Sequence, residues 1–276
     1  MPQEHSEALR LNSSTGILPA MSNATIDLRS NRLFIALAAF FVANAVIAEF
    51  VGVKVFAVED TLGMRPLTWN LYGETGSLNL TAGVLVWPLV FILTDVINEY
   101  FGVRGVRFIS YVAVALISYA FLVAYAAISV VPASWWIHTG AIYGVPDMQA
   151  AFSNIFGQGM WIIVGSITAF MIGQLIDVVI FHRIRARAGE RHIWFRATAS
   201  TAVSQLIDSF VVLYISFVIG PQHWSINRFL AVGTVNYCYK LAMAILLIPL
   251  IYIGRVIIEG YLGADVAHRL KEEAAQ

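Results

Sequence analysis

The sequence predicts an all-α integral membrane protein of six transmembrane helices, and three observations predict it. Apolar side chains make up 59% of the 276 residues and charged ones only 12%, against about 25% charged in soluble domains. Six runs reach the ~20 apolar residues that a helix needs to cross the hydrocarbon core. Basic residues gather in alternate connections between those runs. A β-barrel is excluded because barrel strands alternate apolar and polar residues, whereas these runs are apolar on nearly all sides.

Taken in order, residues 1–31 are polar and mixed in charge around Asn12-Ser13-Ser14-Thr15-Gly16 and read as a flexible cytoplasmic tail. They lack the basic start, short apolar core and small-residue cleavage site of a secretory signal. A transmembrane domain over 32–260 holds the six segments, at residues 33–58, 82–101, 106–131, 151–181, 193–219 and 229–258. Residues 261–276 form a second cytoplasmic tail. The second segment is the weakest, since Trp87-Pro88 interrupts it and its last turns carry carboxylates. Proline within a spanning helix predicts a kink there. The longer outer connections, 59–81 and 132–150, hold Gly, Pro, Trp and Tyr in place of charge. Trp135, Trp136, His138 and Tyr143 read as an interfacial belt.

Orientation follows from lysine and arginine. Arg10, Arg29, Arg32, Arg104, Arg107, Arg183, Arg185, Arg187, Arg191, Arg196, Arg255, Arg269 and Lys271 fall on one side, and only Arg65 and Arg228 on the other. By the positive-inside rule both termini face the cytoplasm. Lys54 and Lys240 fall within predicted helices. The single cysteine, Cys238, excludes an intramolecular disulfide and a multi-cysteine metal site. No cofactor, metal or nucleic-acid partner is expected.

Intramembrane polar groups carry the functional reading. At ~1.5 Å per residue, Asn44 lies ~16 Å from the inner end of its segment, Asp95 ~20 Å from the outer end, Asp208 ~22 Å from the inner end and Lys240 ~16 Å from the outer end. Four segments therefore bring polar groups to the midplane, as in a central transporter site. Glu49 and Lys54 lie further out, Glu99 and Asp177 closer to the cytoplasm, and these read as pathway or structural groups. Asp95, Asn98 and Glu99 share one helix face, as do Asn236 with Lys240 and Gln205 with Asp208. Gln-Leu-Ile-Asp occurs twice, at Gln174 to Asp177 and at Gln205 to Asp208. Two three-helix halves of inverted topology would make the second and fifth segments equivalents, with one midplane carboxylate each. Interhelical ion pairing is the plainer account of any single residue. It does not cover the set, because two ammonium groups cannot neutralise Glu49, Asp95, Glu99, Asp177 and Asp208.

Several stretches in this set resemble the bacterial queuosine precursor transporters, also described as the vitamin uptake transporter family. They are Trp87-Pro88-Leu89, Leu93-Thr94-Asp95-Val96-Ile97-Asn98-Glu99-Tyr100-Phe101-Gly102, Asn44 with Lys54, Ser204-Gln205-Leu206-Ile207-Asp208-Ser209, and Asn236-Tyr237 through Lys240 to Pro249 and Tyr252. The resemblance runs from about Asn31 to Gly260. Trp87 stands where the family pattern leads one to expect phenylalanine, and the stretch from Asn70 to Asn79 is longer than that pattern. The resemblance implies uptake of 7-deazaguanine bases, such as 7-cyano-7-deazaguanine, its 7-aminomethyl relative or queuine, for salvage into tRNA modification in the bacterial inner membrane. On that reading Asp95 and Asp208 accept the paired donors of the guanine-like edge. Asn44, Gln205, Asn236 and Lys240 complete the hydrogen bonding, and Tyr237 or Trp87 stacks on the ring.

Two other classes compete. A substrate-capture subunit of an ATPase-driven vitamin importer would suit six helices and the small Ala39/Ala43 stripe, although the chain has no phosphate-binding Gly-x-x-x-x-Gly-Lys-Ser/Thr motif of its own. An intramembrane protease would need Asp95 and Asp208 close enough to share a proton. Oligomeric state is left open, because lipid-facing and partner-facing apolar surfaces look alike in sequence.

Overall fold

The computed structural model describes residues 23–157, 160–188, 193–220 and 222–274. The first helix, α1 (Asn23–Val51), begins on the polar residues 23–32, which overlap the expected tail, and is mainly apolar from Leu33 onward. It stops short of the expected residue 58 because Gly52 breaks it and the β-branched Val55 enters a strand. The Lys54 N–H donates to Val51 O at 3.1 Å, and Lys54 O accepts from Ala82 N–H at 2.7 Å. Lys54 is therefore an exposed residue of a turn and not part of a helix.

The connection that follows is ordered by strands. β1 (Val55–Ala57), a short α2 (Val58–Leu62), β2 (Trp69–Leu71), β3 (Glu74–Gly76) and β4 (Asn79–Thr81) form two antiparallel ladders, β1 with β4 and β2 with β3. Tyr72 and Gly73, both at positive φ (54° and 81°), close the second hairpin, the geometry that matches the strand twist in a two-residue turn. Glu59 is buried at the centre, its Oε1 accepting from the Leu78 N–H at 2.8 Å and the Leu67 N–H at 3.3 Å. The Leu78 amide, foremost among these donors, holds the Glu59 carboxyl below the usual carboxylate range.

α3 (Trp87–Ser129) is continuous in hydrogen bonding but not in direction. Forty-three residues of straight helix would reach ~65 Å, about twice the hydrocarbon core. Gly102, at φ 67° and ψ −173°, turns it back on itself. A β-carbon on Gly105 would lie 3.6 Å from Ile97 Cγ2, a contact that no straight helix makes over eight residues. α1 runs beside both arms. Phe34 meets Phe101 at 5.0 Å and Phe108 at 6.4 Å between ring centroids, while Phe50, sixteen residues along, meets Phe121 at 5.2 Å. The expected second and third segments are thus the two arms of α3. Between them and α1 lies a dry core of Phe41, Ala45, Val90, Ile97, Val106, Ile109, Ala113 and Ile117, joined by Phe170.

After a single turn, α4 (Ser134–Ile137), the second half begins. The expected segment 151–181 is divided into α5 (Met148–Phe156) and α6 (Met160–Ala188). Asp147 caps α5 by accepting from the Ala150 N–H at 2.9 Å. α7 (Ile193–Leu213) runs antiparallel to α6, Gly165 lying against Ser216 and Gly173 against Asp208. A side chain at Gly165 would meet Ser216 Oγ at 2.3 Å, so glycine is what lets these elements touch. α7 ends in a wider π turn, Tyr214–Ile219. The expected segment 229–258 is broken into α8 (Ile226–Leu246) and α9 (Ile248–Leu262), because Pro249 lacks the N–H that would continue the ladder. α10 (Ala264–Glu273) folds back so that Ala274 sits against Gly102. Buried Lys271 donates to Glu259 at 2.6 Å and lies 5.1 Å from the Tyr100 ring centroid.

The molecule is mostly helical, with five stretches among the described residues long and apolar enough to cross a membrane. The end of the bundle that carries β1 to β4 is called the loop face below. The opposite end, where Gly102 turns and α10 lies, is the terminal face.

Candidate functional site

Two adjoining cavities lie between the halves. The smaller, about 570 Å³, is walled by Trp87, Phe91 and Asp95 of α3, Gln205 of α7, and Tyr239 and Lys240 of α8. The larger is a cleft of about 1550 Å³ reaching the loop face at Val55 and Thr81, with Glu49, Ser166, Asp208, Ser209, Asn236 and Lys240 on its walls. Trp87 and Lys240 line both.

Helical spacing explains the polar wall. Gln205, Asp208 and Ser209 stand at i, i+3 and i+4 on α7 and share one face. Asn236 and Lys240 do the same on α8. The two faces meet in an ion pair, with Lys240 Nζ 2.5 Å from Asp208 Oδ2 and both side chains about one-fifth exposed (20% and 17%). Such a pair offsets its desolvation cost only with close geometry, and losing one partner strands the other charge. Ser166 of α6 donates to the Glu49 carboxylate and fixes it on the cleft wall.

Gln205 is the most informative of these residues. Its side chain is 1% exposed, yet its amide Nε2 and carbonyl Oε1 both have no hydrogen-bond partner among the described residues. Ser209 Oγ is in the same position on the cleft wall. A buried polar group left unpaired costs about 1–3 kcal/mol. Two such groups stand on one helix face, and both residues line cavity walls.

The structure therefore brings together Trp87, Asp95, Gln205, Asp208, Asn236 and Lys240, and adds Glu49. It places the others elsewhere. Asn44 is buried but donates to Phe40 O of its own helix at 2.7 Å and lines neither cavity. Tyr237 is on neither wall, and Tyr239 stands on the smaller one instead. Asn98 and Glu99 are buried between the smaller cavity and the terminal face. Lys54 is at the loop face. The side chains of Gln174 and Asp177 lie outside the described residues. Sequence reasoning passed over Ser166, Ser209 and Tyr239. Only Ser209 carried a signal, standing one helical turn after Gln205 in the same polar stretch.

Apolar helices around a cavity lined by an ion pair, a buried carboxamide and aromatic rings define a multi-pass membrane protein built to pass a small polar molecule. Comparison with known proteins gives the particular family. Residues 81–254, well over half of the chain, match the family described as "Putative vitamin uptake transporter", and the chain belongs to it. It is 28% identical over 193 residues to the "Probable queuosine precursor transporter" of Bacillus subtilis, a match covering 69% of this chain and 76% of that one. To the "Queuosine precursor transporter" of Escherichia coli it is 28% identical over 165 residues, covering 60% and 67% respectively. The "Probable queuosine precursor transporter" of Haemophilus influenzae is 26% identical over 174 residues, covering 62% and 66%. No solved structure matches.

Proposed function

We propose that this protein imports queuosine precursors, 7-deazaguanine bases, across the bacterial inner membrane as an autonomous carrier. The observation that carries the reading is the unpartnered Gln205 carboxamide on a cavity wall shared with Asp95 and Trp87. The names of the three relatives supply the substrate class. A guanine-like edge offers a ring N–H and an exocyclic amine side by side, which Asp95 accepts as a pair. Its carbonyl oxygen accepts from the Gln205 Nε2, and Trp87 and Tyr239 present rings to the base faces. A base lacking that carbonyl oxygen leaves the Gln205 carboxamide unpaired inside the membrane, and that penalty is a source of selectivity.

In this reading the two arms of α3 each cross the bilayer with Gly102 at the turn, giving six crossings. The two halves are of inverted topology, and the site lies between them. The arginine-rich terminal face is cytoplasmic and the loop face external. The substrate comes in through the larger cleft and leaves past Asn98 and Glu99.

The test is uptake of labelled 7-deazaguanine bases in cells that lack their own importer, their own precursor synthesis and any vitamin-importer ATPase, with queuosine in tRNA as a second readout. Wild-type protein restores both. Gln205→Ala lowers uptake at least ~10-fold at unchanged membrane level. No uptake by the wild-type protein in those cells overturns the proposal.

A further inference from the structure

The larger cleft carries a second constellation that recognition of the guanine-like edge leaves unused. Among the described residues its ionisable wall groups are Glu49, Asp208 and Lys240. Lys240 is held by Asp208 at 2.5 Å, so the pair contributes little net charge, and Glu49 is the other acidic side chain on the wall among the described residues. Ser166 donates to that carboxylate and thereby orients it. Two neutral acceptors share the cleft: Ser209 Oγ, which is buried and without a hydrogen-bond partner among the described residues, and the Asn236 carboxamide.

We propose that Glu49, Ser209 and Asn236 receive a positively charged amine on the substrate, so that the protein favours amine-bearing precursors over neutral ones. The inference rests on the reading of the protein as a deazaguanine importer and names the member of that class it takes best. An ammonium group has three N–H donors and no acceptor. A carboxylate, a hydroxyl oxygen and a carboxamide oxygen give it three acceptors, one of them charged. A nitrile in the same place is neutral and only accepts, so it meets like-signed lone pairs and leaves the Ser209 hydroxyl unpaired. Trp87 and Lys240 line both cavities. A base seated at that junction has its hydrogen-bonding edge toward Asp95 and Gln205 and its substituent toward Glu49.

The experiment compares initial uptake of labelled 7-aminomethyl- and 7-cyano-7-deazaguanine by the wild-type protein and by Glu49→Gln, Ser209→Ala and Asn236→Ala, each normalised to membrane level. The wild-type protein is expected to favour the aminomethyl base by at least ~10-fold. Glu49→Gln brings the ratio to within about threefold of unity, mainly by lowering aminomethyl uptake. Ser209→Ala and Asn236→Ala narrow it less, and they carry the test alone if Glu49→Gln fails to reach the membrane. A wild-type preference for the cyano base, or a ratio that none of the variants moves, overturns the inference. Equal loss of both bases in Glu49→Gln also overturns it, since that is the signature of a structural or coupling carboxylate. Uptake of neither base by the wild-type protein overturns the importer reading itself.

Discussion

The two halves of the bundle solve opposite problems. α1 and the arms of α3 close on a dry core in which Phe41, Ala45, Val90 and Ala113 are fully buried, with the turn at Gly102 at its edge. From α5 to α9 the chain is interrupted at Gly157, at the Tyr214–Ile219 π turn and at Leu247 before Pro249. Among the described residues, the two cavity-wall side chains that lack partners, those of Gln205 and Ser209, belong to this second half. Regular apolar packing costs a helix little. Irregular helix is tolerated at membrane depth where it borders a cavity or protein, and wide π turns concentrate at functional sites. The first half thus serves as a frame, contributing Trp87, Asp95 and Glu49 to the cavity walls, and the second half as the adaptable surface against it.

The contrast breaks most readily at the Lys240–Asp208 pair. Lys240→Met leaves the Asp208 carboxylate without its ammonium partner, and losing one partner of a buried pair costs about 3–5 kcal/mol. Partial exposure of both side chains puts this case at the lower end. The double variant Asp208→Asn with Lys240→Met removes both charges and is expected to recover most of the thermal stability in detergent while uptake stays lost. A double variant no more stable than Lys240→Met refutes the pair as the organising contact of the second half.

The next effect tests the frame. Gly102 occupies φ 67° with ψ −173°, a region in effect restricted to glycine. A β-carbon there would also lie 3.1 Å from Ala274 O. Gly102→Ala is expected to cost about 1–3 kcal/mol, read as a lower melting temperature, while leaving the aminomethyl-to-cyano uptake ratio of the surviving protein alone. A changed ratio with unchanged melting would mean that the turn belongs to the substrate path and not to the frame.

Depth was legible in the sequence and direction was not. Counting ~1.5 Å per residue put Asp95, Asp208 and Lys240 at one level, and the structure gathers them around adjoining cavities. The same count put Asn44 there, but its amide donates back to Phe40 O, one turn earlier in its own helix. Tyr237 and Tyr239 differ by ~200° on a helix, so two residues decide which ring reaches the cavity. Hydropathy read 229–258 as one segment because Pro249 is itself neither polar nor charged, while its missing N–H splits the helix. Glu49 read as a pathway group because only the fold brings α1 up to Ser166 and α7. The strands over 55–81 left almost no mark, since three-residue ladders are too short for an alternating pattern to stand out.

The smallest effect separates that strand-built connection from the frame beneath it. The Glu59 carboxyl sits below its ordinary range because the Leu78 N–H, with help from that of Leu67, stabilises its charged form. A carboxyl depressed in the folded state stabilises above its unfolded pKa, near ~4.3 for Glu. That stabilisation is lost as pH falls through the lower folded value. Trp69, whose Nε1 donates to Ser77 O at 3.1 Å, reports on the same loop. In a variant that keeps Trp69 and replaces the other tryptophans with phenylalanine, emission is expected to hold steady above pH ~5 and to shift toward that of solvated indole below ~4. Glu59→Gln removes the titration and leaves the loop looser at every pH. An acid shift that persists in Glu59→Gln would assign it to the bundle, and the loop would then move with the frame instead of over it.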